Sequence, residues 1–120
     1  MKVGHGASDG VQMGPVTTPR SLDKADSQVE DAKKLGGNIV LGGNRLQGQK
    51  GYDGYFYEPT LITNAKKEML IAREETFAPI MALFEFDTEE EAVQRANDTS
   101  MGLASCKSSQ TSHSENGTDI

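Results

Sequence analysis

The run Ile71-Ala72-Arg73-Glu74-Glu75-Thr76-Phe77-Ala78-Pro79-Ile80, continued by Met81-Ala82-Leu83-Phe84-Glu85-Phe86, decides how this chain is read. Its first part is strongly polar and carries two adjacent carboxylates, Glu74 and Glu75. An aromatic, Phe77, follows two positions on, and Pro79 opens an apolar run. From Ile80 to Phe86 the residues read as a buried or half-buried strand. Pro79 can stand at its first residue, where no ladder N–H is needed, and it biases Ala78 toward extended backbone. Glu75 and Phe77 are therefore expected on a stiff corner leading into a strand, where a carboxylate and a ring can face one ligand.

Working outward, the clearest helix lies upstream. Thr17 or Thr18 can cap it and Pro19 suits its first turn. Leu22, Ala25, Val29, Ala32 and Leu35 recur at three- and four-residue steps, which predicts one apolar stripe over Pro19–Leu35. Asp23, Lys24, Glu30, Asp31, Lys33 and Lys34 take the other faces, with Glu30 and Lys34 at a favourable spacing, and Gly36-Gly37 ends the helix. Asn38-Ile39-Val40-Leu41 reads as a short buried strand. Residues 42–54 hold five glycines and read as a surface loop. Tyr55-Phe56-Tyr57 and Thr60-Leu61-Ile62-Thr63 are strand-like pieces around Pro59, which suits an edge or a break. Lys66-Lys67-Glu68-Met69-Leu70 is a candidate helical turn before the corner.

Downstream, Thr88 and Glu91 form a capping box that opens a second helix, predicted near Thr88–Asn97. Glu89, Glu90 and Glu91 complement its positive end. Ala92, Val93 and Ala96 supply a narrow buried stripe. Five acids lie within Glu85 to Glu91, but their places at a strand end and a helix cap argue against a metal site. The alternation of helix and strand predicts an α/β piece with parallel strand pairing.

The chain has 120 residues, which permits one small domain or part of a larger one. Leu, Ile, Val and Phe total 23, close to the lower bound for a stable core. A net charge of −6 argues against nucleic acid and anionic membrane surfaces as partners. One cysteine, Cys106, excludes an internal disulfide and a multi-thiolate metal site. No run is long and apolar enough to span a membrane and no targeting signal is visible, so an intracellular protein, cytoplasmic or mitochondrial, is expected.

The opening Gly4-His5-Gly6-Ala7-Ser8-Asp9-Gly10 imitates a dinucleotide fingerprint with one residue too many before the last glycine. That fingerprint needs a strand before it and a helix after it, and only Met1-Lys2-Val3 precede. A surface loop is the expectation.

Glu74-Glu75-Thr76-Phe77-Ala78-Pro79 resembles the E-E-x-F-G-P signature of the aldehyde dehydrogenases. Tyr57-Glu58-Pro59-Thr60-Leu61 resembles the family's x-x-P-T-[VL]. Asn97-Asp98-Thr99-Ser100-Met101-Gly102-Leu103-Ala104 is similar to its A-N-x-x-x-x-G-L-A. The glycine pairs around Asn38–Leu41 and the Gly14-Pro15-Val16 step match in order and spacing. The wording of the corner and the Phe86-Asp87-Thr88-Glu89-Glu90-Glu91-Ala92 run look most like succinate-semialdehyde dehydrogenases.

The resemblance runs from about Lys2 to Ser105 and implies a piece of the later part of the catalytic domain over residues 1–105. Residues 106–120 form an unrelated tail, expected to be disordered because Lys107 to Asp119 contains no apolar residue. The abrupt change is expected of a truncated or aberrant product. The family oxidises an aldehyde to a carboxylate with NAD or NADP. By resemblance, Glu75 accepts hydrogen bonds from the nicotinamide ribose and Phe77 packs beside the nicotinamide ring.

The family's nucleophilic cysteine, general base, oxyanion asparagine and Rossmann unit all precede the matched stretch. No catalytic residue is therefore assigned, and Cys106 does not match the nucleophile. The expectations are an inactive fragment that binds cofactor weakly or not at all, with association through exposed apolar surface. The alternative is a non-catalytic interaction or binding module derived from the same fold. Ala78 stands where the family usually has glycine; a positive φ there would strain an alanine by about 1 kcal/mol.

Overall fold

The computed structural model describes residues 1–100, 102, 104 and 106–108. The chain forms two units, one spanning Met1–Glu85 and a second that begins at Phe86.

In the first unit, helix α1 (Pro19–Lys34) follows from its sequence almost residue by residue. Thr18 is the cap, its Oγ1 accepting from the Ser21 N–H at 3.2 Å, and Pro19 occupies the first turn, where no N–H is needed. The expected stripe is buried: Leu22, Ala25, Val29 and Ala32 are all at most 1% exposed. Leu35 is the exception at 38%, because it has left the helix as its C-cap. There Gly37 N–H donates to Ala32 O at 2.8 Å and Gly36 N–H to Lys33 O at 3.3 Å, the paired bonds of a Schellman stop. Gly36 takes the left-handed conformation that this stop requires, with φ +90°. Glu30 pairs with Lys33 at 3.3 Å rather than with Lys34.

Three strands follow, β1 (Asn38–Leu41), β2 (Thr60–Thr63) and β3 (Ile80–Ala82), in the order β1-β2-β3. Between β2 and β3 lies a single helical turn, α2 (Leu70–Arg73), slightly later than the predicted one. The parallel pairing predicted for the strands holds only for β2 and β3, with Thr60, Leu61 and Ile62 opposite Ile80, Met81 and Ala82. β1 runs antiparallel to β2 and is bulged between Ile39 and Leu41. The difference lies in the connections: a helical turn carries the chain from β2 to β3, whereas residues 42–59 return it to β2 without a helix.

Pro59 immediately precedes the central strand rather than marking an edge, so its missing N–H costs no ladder bond. β1, expected to be buried, is itself an edge strand. Ile39 reaches the core, while Val40 and Leu41 are 60% and 58% exposed.

β3 is shorter than the predicted Pro79–Phe86 because its partner β2 has only four residues. Contact with β2 and its flank continues through Leu83, whose N–H donates to Ile62 O at 2.8 Å and whose carbonyl accepts from Ala65 N–H at 3.1 Å. The half-buried alternation is present. Ile80, Ala82 and Phe84 pack on Ala32, Ile62, Ala65 and Met69, and Met81 and Leu83 point away.

The loop over residues 42–54 is anchored more firmly than a surface loop. Gly42 lies so close to β2 that an added Cβ would sit 2.2 Å from Pro59 O, and its φ of +73° suits glycine. Arg45 reaches Asp23 at 2.6 Å and Asp26 at 2.5 Å on α1. These hydrogen bonds raise the Arg45 pKa further. Phe56 and Tyr57, just beyond, are fully buried. Tyr57 packs with Leu22 and Ala25 and donates to Gly43 O at 3.2 Å. Burial, with negative Asp26 adding to it, pushes the Tyr57 hydroxyl pKa well above the usual tyrosine value.

In the second unit, α3 (Glu89–Asn97) has the predicted cap. Thr88 Oγ1 accepts from Glu91 N–H at 3.2 Å, and the Glu91 carboxylate accepts from Asp87 N–H at 3.0 Å. The predicted stripe of Ala92, Val93 and Ala96 is not buried: Ala96 is exposed, and no residue of α3 is fully covered. A nine-residue helix with three small or medium apolar side chains has little to bury. Cys106 is exposed. The coil expected from Lys107 onward lies, past residue 108, outside the described residues.

Candidate functional site

The corner at 74–79 is held at both ends. At its start, α2 is fastened to α1, because the Leu70 N–H donates to the Asp31 carboxylate at 2.8 Å and Met69 is fully buried beneath it. Glu74 leaves the helix in extended backbone, its N–H donating to Leu70 O at 2.9 Å. At the far end Pro79 O accepts from Thr60 N–H at 2.8 Å, joining the corner to the first residue of β2. Between these ties, Thr76 Oγ1 donates to the buried Gln28 Oε1 at 2.5 Å.

Ala78 is not in the left-handed region. Asn64 is the one described non-glycine residue with positive φ. The strain that alanine would suffer in a left-handed turn therefore does not arise, and Ala78 instead packs against the Leu22, Ala25 and Tyr57 cluster.

The two residues singled out from sequence both reach the surface. Phe77 is 73% exposed, so a ring on a backbone tied at both ends has most of its area uncovered. Glu75 is exposed as well. Beside them is an open cleft of about 380 Å³ lined by Thr76, Phe77 and Ala78 on one side and by Thr18, Arg20, Ser21 and Lys24 on the other. Glu75 immediately precedes this lining without being part of it.

Arg20, Ser21 and Lys24 were not visible as site residues in the sequence. They lie some fifty residues before the corner and read as an ordinary solvated helix face. Gln28 had a signal, since it is a polar residue beside the stripe of Leu22, Ala25, Val29 and Ala32.

The cleft thus offers a flat aromatic surface, two cationic side chains one helical turn apart, hydroxyls, and a nearby carboxylate able to accept from a vicinal diol. These groups suit a flat ring joined to a sugar and an anionic group. No cysteine or histidine is among the lining residues. The opening Gly4–Gly10 segment is a closed surface loop, with Gly4 N–H donating to Met13 O at 3.0 Å and the Lys2 ammonium donating to Asp9 O at 2.8 Å. It presents no helix N-terminus to a phosphate. Among the described residues, no three His, Cys, Asp or Glu side chains converge as a metal site would need, and no helix is long and apolar enough to cross a membrane.

The model of the aldehyde dehydrogenase family matches residues 1–116. The chain is 47% identical over 103 residues to succinate-semialdehyde dehydrogenase [NADP(+)] 1 of Schizosaccharomyces pombe, covering 86% of this chain and 20% of that protein. Among solved structures, succinate-semialdehyde dehydrogenase from Burkholderia pseudomallei superposes with a TM-score of 0.75 at 39% identity, over 82% of this chain and 20% of that one. Betaine aldehyde dehydrogenase from Staphylococcus aureus in complex with NAD+ gives 0.73 at 41% identity, again over 82% and 20%. The chain therefore spans about a fifth of the length of the relatives it matches. With its signature corner, its α/β arrangement and these matches in agreement, the chain belongs to the aldehyde dehydrogenase family.

Proposed function

We propose that this stretch is the nicotinamide-facing corner of an aldehyde dehydrogenase catalytic domain, of the kind that oxidises succinate semialdehyde. The observation that carries the reading is the exposed Phe77 ring on a tied backbone beside a cleft that also gathers Arg20 and Lys24. Glu75 would accept from the ribose hydroxyls, and Phe77 would hold the nicotinamide ring in register. When bound, the cofactor supplies the hydride acceptor. The chain's own residues bind and orient, and none of them attacks an aldehyde.

By themselves these 120 residues do not oxidise aldehydes and hold NAD or NADP at most weakly. Two ribose hydrogen bonds and one ring contact supply about 2–4 kcal/mol before ordering costs. That corresponds to millimolar affinity or weaker, because association itself costs several kcal/mol. The test is calorimetric titration with NAD and NADP beside an assay of succinate semialdehyde oxidation. Turnover by the 120-residue chain that is lost in Cys106→Ala would overturn this reading and make Cys106 a nucleophile.

A second reading rests on the sheet face away from α1. Val40 and Leu41 are 60% and 58% exposed, and Met81 and Leu83 are 62% and 47% exposed. Exposed apolar side chains in this number on the two outer strands of the sheet and their flank favour association over independent monomers. Sedimentation velocity distinguishes the two. A monomer across the micromolar range removes the association reading and leaves the cofactor reading untouched.

A further inference from the structure

Gln28 is a full-length polar side chain at 0% exposure on the buried side of α1. Its neighbours on that side, Leu22, Ala25, Val29 and Ala32, are apolar. Its Nε2 has no hydrogen-bond partner, so half of a buried amide is left unsatisfied. A leucine of similar size would fill the same space without that cost. The amide is therefore poorly explained by packing. What it does reach is Thr76, through the 2.5 Å bond to Oε1. Thr76 sits between Glu75 and Phe77 in the chain and lines the cleft. Among the described residues, this is the hydrogen bond that ties the middle of the corner, residues 75–78, to another element; the other ties lie at its ends.

We infer that Gln28 is a positioning residue for the corner: through Thr76 it fixes the backbone that carries Glu75 and Phe77 beside the cleft. It thereby sets how tightly the nicotinamide half of a cofactor is held there, a consequence that rests on the cofactor reading above. The Thr76 hydroxyl also lies 3.4 Å from Glu74 O in its own segment, the partner that remains when Gln28 is removed. Left with that local bond alone, the middle of the corner loses its hydrogen bond to α1, and Phe77 becomes free to move relative to the cleft. The unpaired Nε2 belongs to the same picture, since an amide kept for one bond to the corner is left with its other end unused.

The test uses the 120-residue chain labelled with nitrogen-15, in Gln28→Leu, Thr76→Val and Thr76→Ser forms, with nicotinamide mononucleotide as the probe. In the parent chain the Phe77 amide should have an order parameter near the rigid value of about 0.85, and it should fall below about 0.6 in Gln28→Leu and Thr76→Val. Thr76→Ser, which keeps the hydroxyl, should restore the rigid value. Amides of Val29 and Ile62 should not change, and the thermal midpoint of Gln28→Leu should be equal to or above that of the parent. Binding of the mononucleotide should weaken by about three- to tenfold in the two disrupting variants, the range given by one lost side-chain hydrogen bond.

An unchanged Phe77 order parameter in both disrupting variants overturns the inference. So does a lowered midpoint with loosening at Val29 and Ile62, the result of a merely structural role. Should Gln28→Leu fail to fold, Thr76→Val at the surface decides the same question. A parent chain whose Phe77 region ignores the mononucleotide removes the cofactor reading, while the order parameters still decide whether Gln28 positions the corner.

Discussion

Tyr57 and Phe77 lie against the same helix and meet opposite fates. Tyr57 is fully buried against Leu22 and Ala25, with Arg45 clamping the preceding loop to Asp23 and Asp26. Phe77 is 73% exposed above the first turns of that helix. Both are aromatic and both follow glycine- or charge-rich segments, so hydrophobicity alone does not separate them. What separates them is the backbone. Tyr57 packs directly on α1, with Tyr55 O accepting from Val16 N–H at 2.8 Å just before that helix, whereas the corner, tied at its ends and through Thr76 to Gln28, leaves the Phe77 ring outside. One face of α1 thus holds the fold together, and its N-terminal turns help to form a cleft.

The largest expected effect breaks the first half of that contrast. Tyr57→Ala should remove about 3–5 kcal/mol, enough to abolish cooperative unfolding in a domain this small. Phe77→Ala should change stability by less than about 0.5 kcal/mol, since little of the ring is covered. Circular dichroism melts of the two variants compare them directly, and equal losses would erase the distinction.

The next effect is alkaline. The folded Tyr57 hydroxyl has a raised pKa, chiefly through burial, so the native state keeps its proton where the unfolded chain has lost it. Stability from this group is fully present below the unfolded tyrosine value of about 10 and falls as pH rises above it. Denaturant midpoints from pH 8 to 11 should decline in the parent chain and decline less in Tyr57→Phe. An identical slope in both would place the alkaline sensitivity elsewhere.

The smallest effect concerns the clamp. Arg45 and its partners are partly solvated, with side-chain exposures of 34% for Arg45, 73% for Asp23 and 39% for Asp26. Screening therefore limits Arg45→Met to about 1 kcal/mol at low salt. The difference should shrink as salt is raised, because the Debye length falls from ~10 Å at 0.1 M to ~3 Å at 1 M. A salt-independent loss would mean that the arginine stem acts by packing rather than by charge.

The same contrast explains how much was legible in the sequence. Helix α1 carried its own boundaries, with Thr18, Pro19 and the Gly36-Gly37 pair each acting locally. The corner was legible because its residues are contiguous. The sheet was not, because pairing direction depends on what connects two strands, and residues 42–59 carry no periodic signal. Asn38–Leu41 looked buried from its apolar side chains, yet an edge strand can be covered on one side only, and β2, introduced by Pro59, took the centre. The opposite wall of the cleft was hidden for a related reason: Arg20, Ser21 and Lys24 become site residues only once the fold brings Thr76–Ala78 beside them.

The central claim, that Phe77 stands uncovered on a fixed corner in order to face a flat ring, is tested most directly by titrating the nitrogen-15 labelled chain with nicotinamide mononucleotide up to about 10 mM, a range set by the weak affinity expected. The predicted result is a set of shifts confined to Ser21, Lys24, Thr76 and Phe77, lost in Phe77→Ala while the rest of the spectrum is preserved. Shifts that spread instead over Val40, Leu41 and Met81, or that persist unchanged without the Phe77 ring, would contradict it.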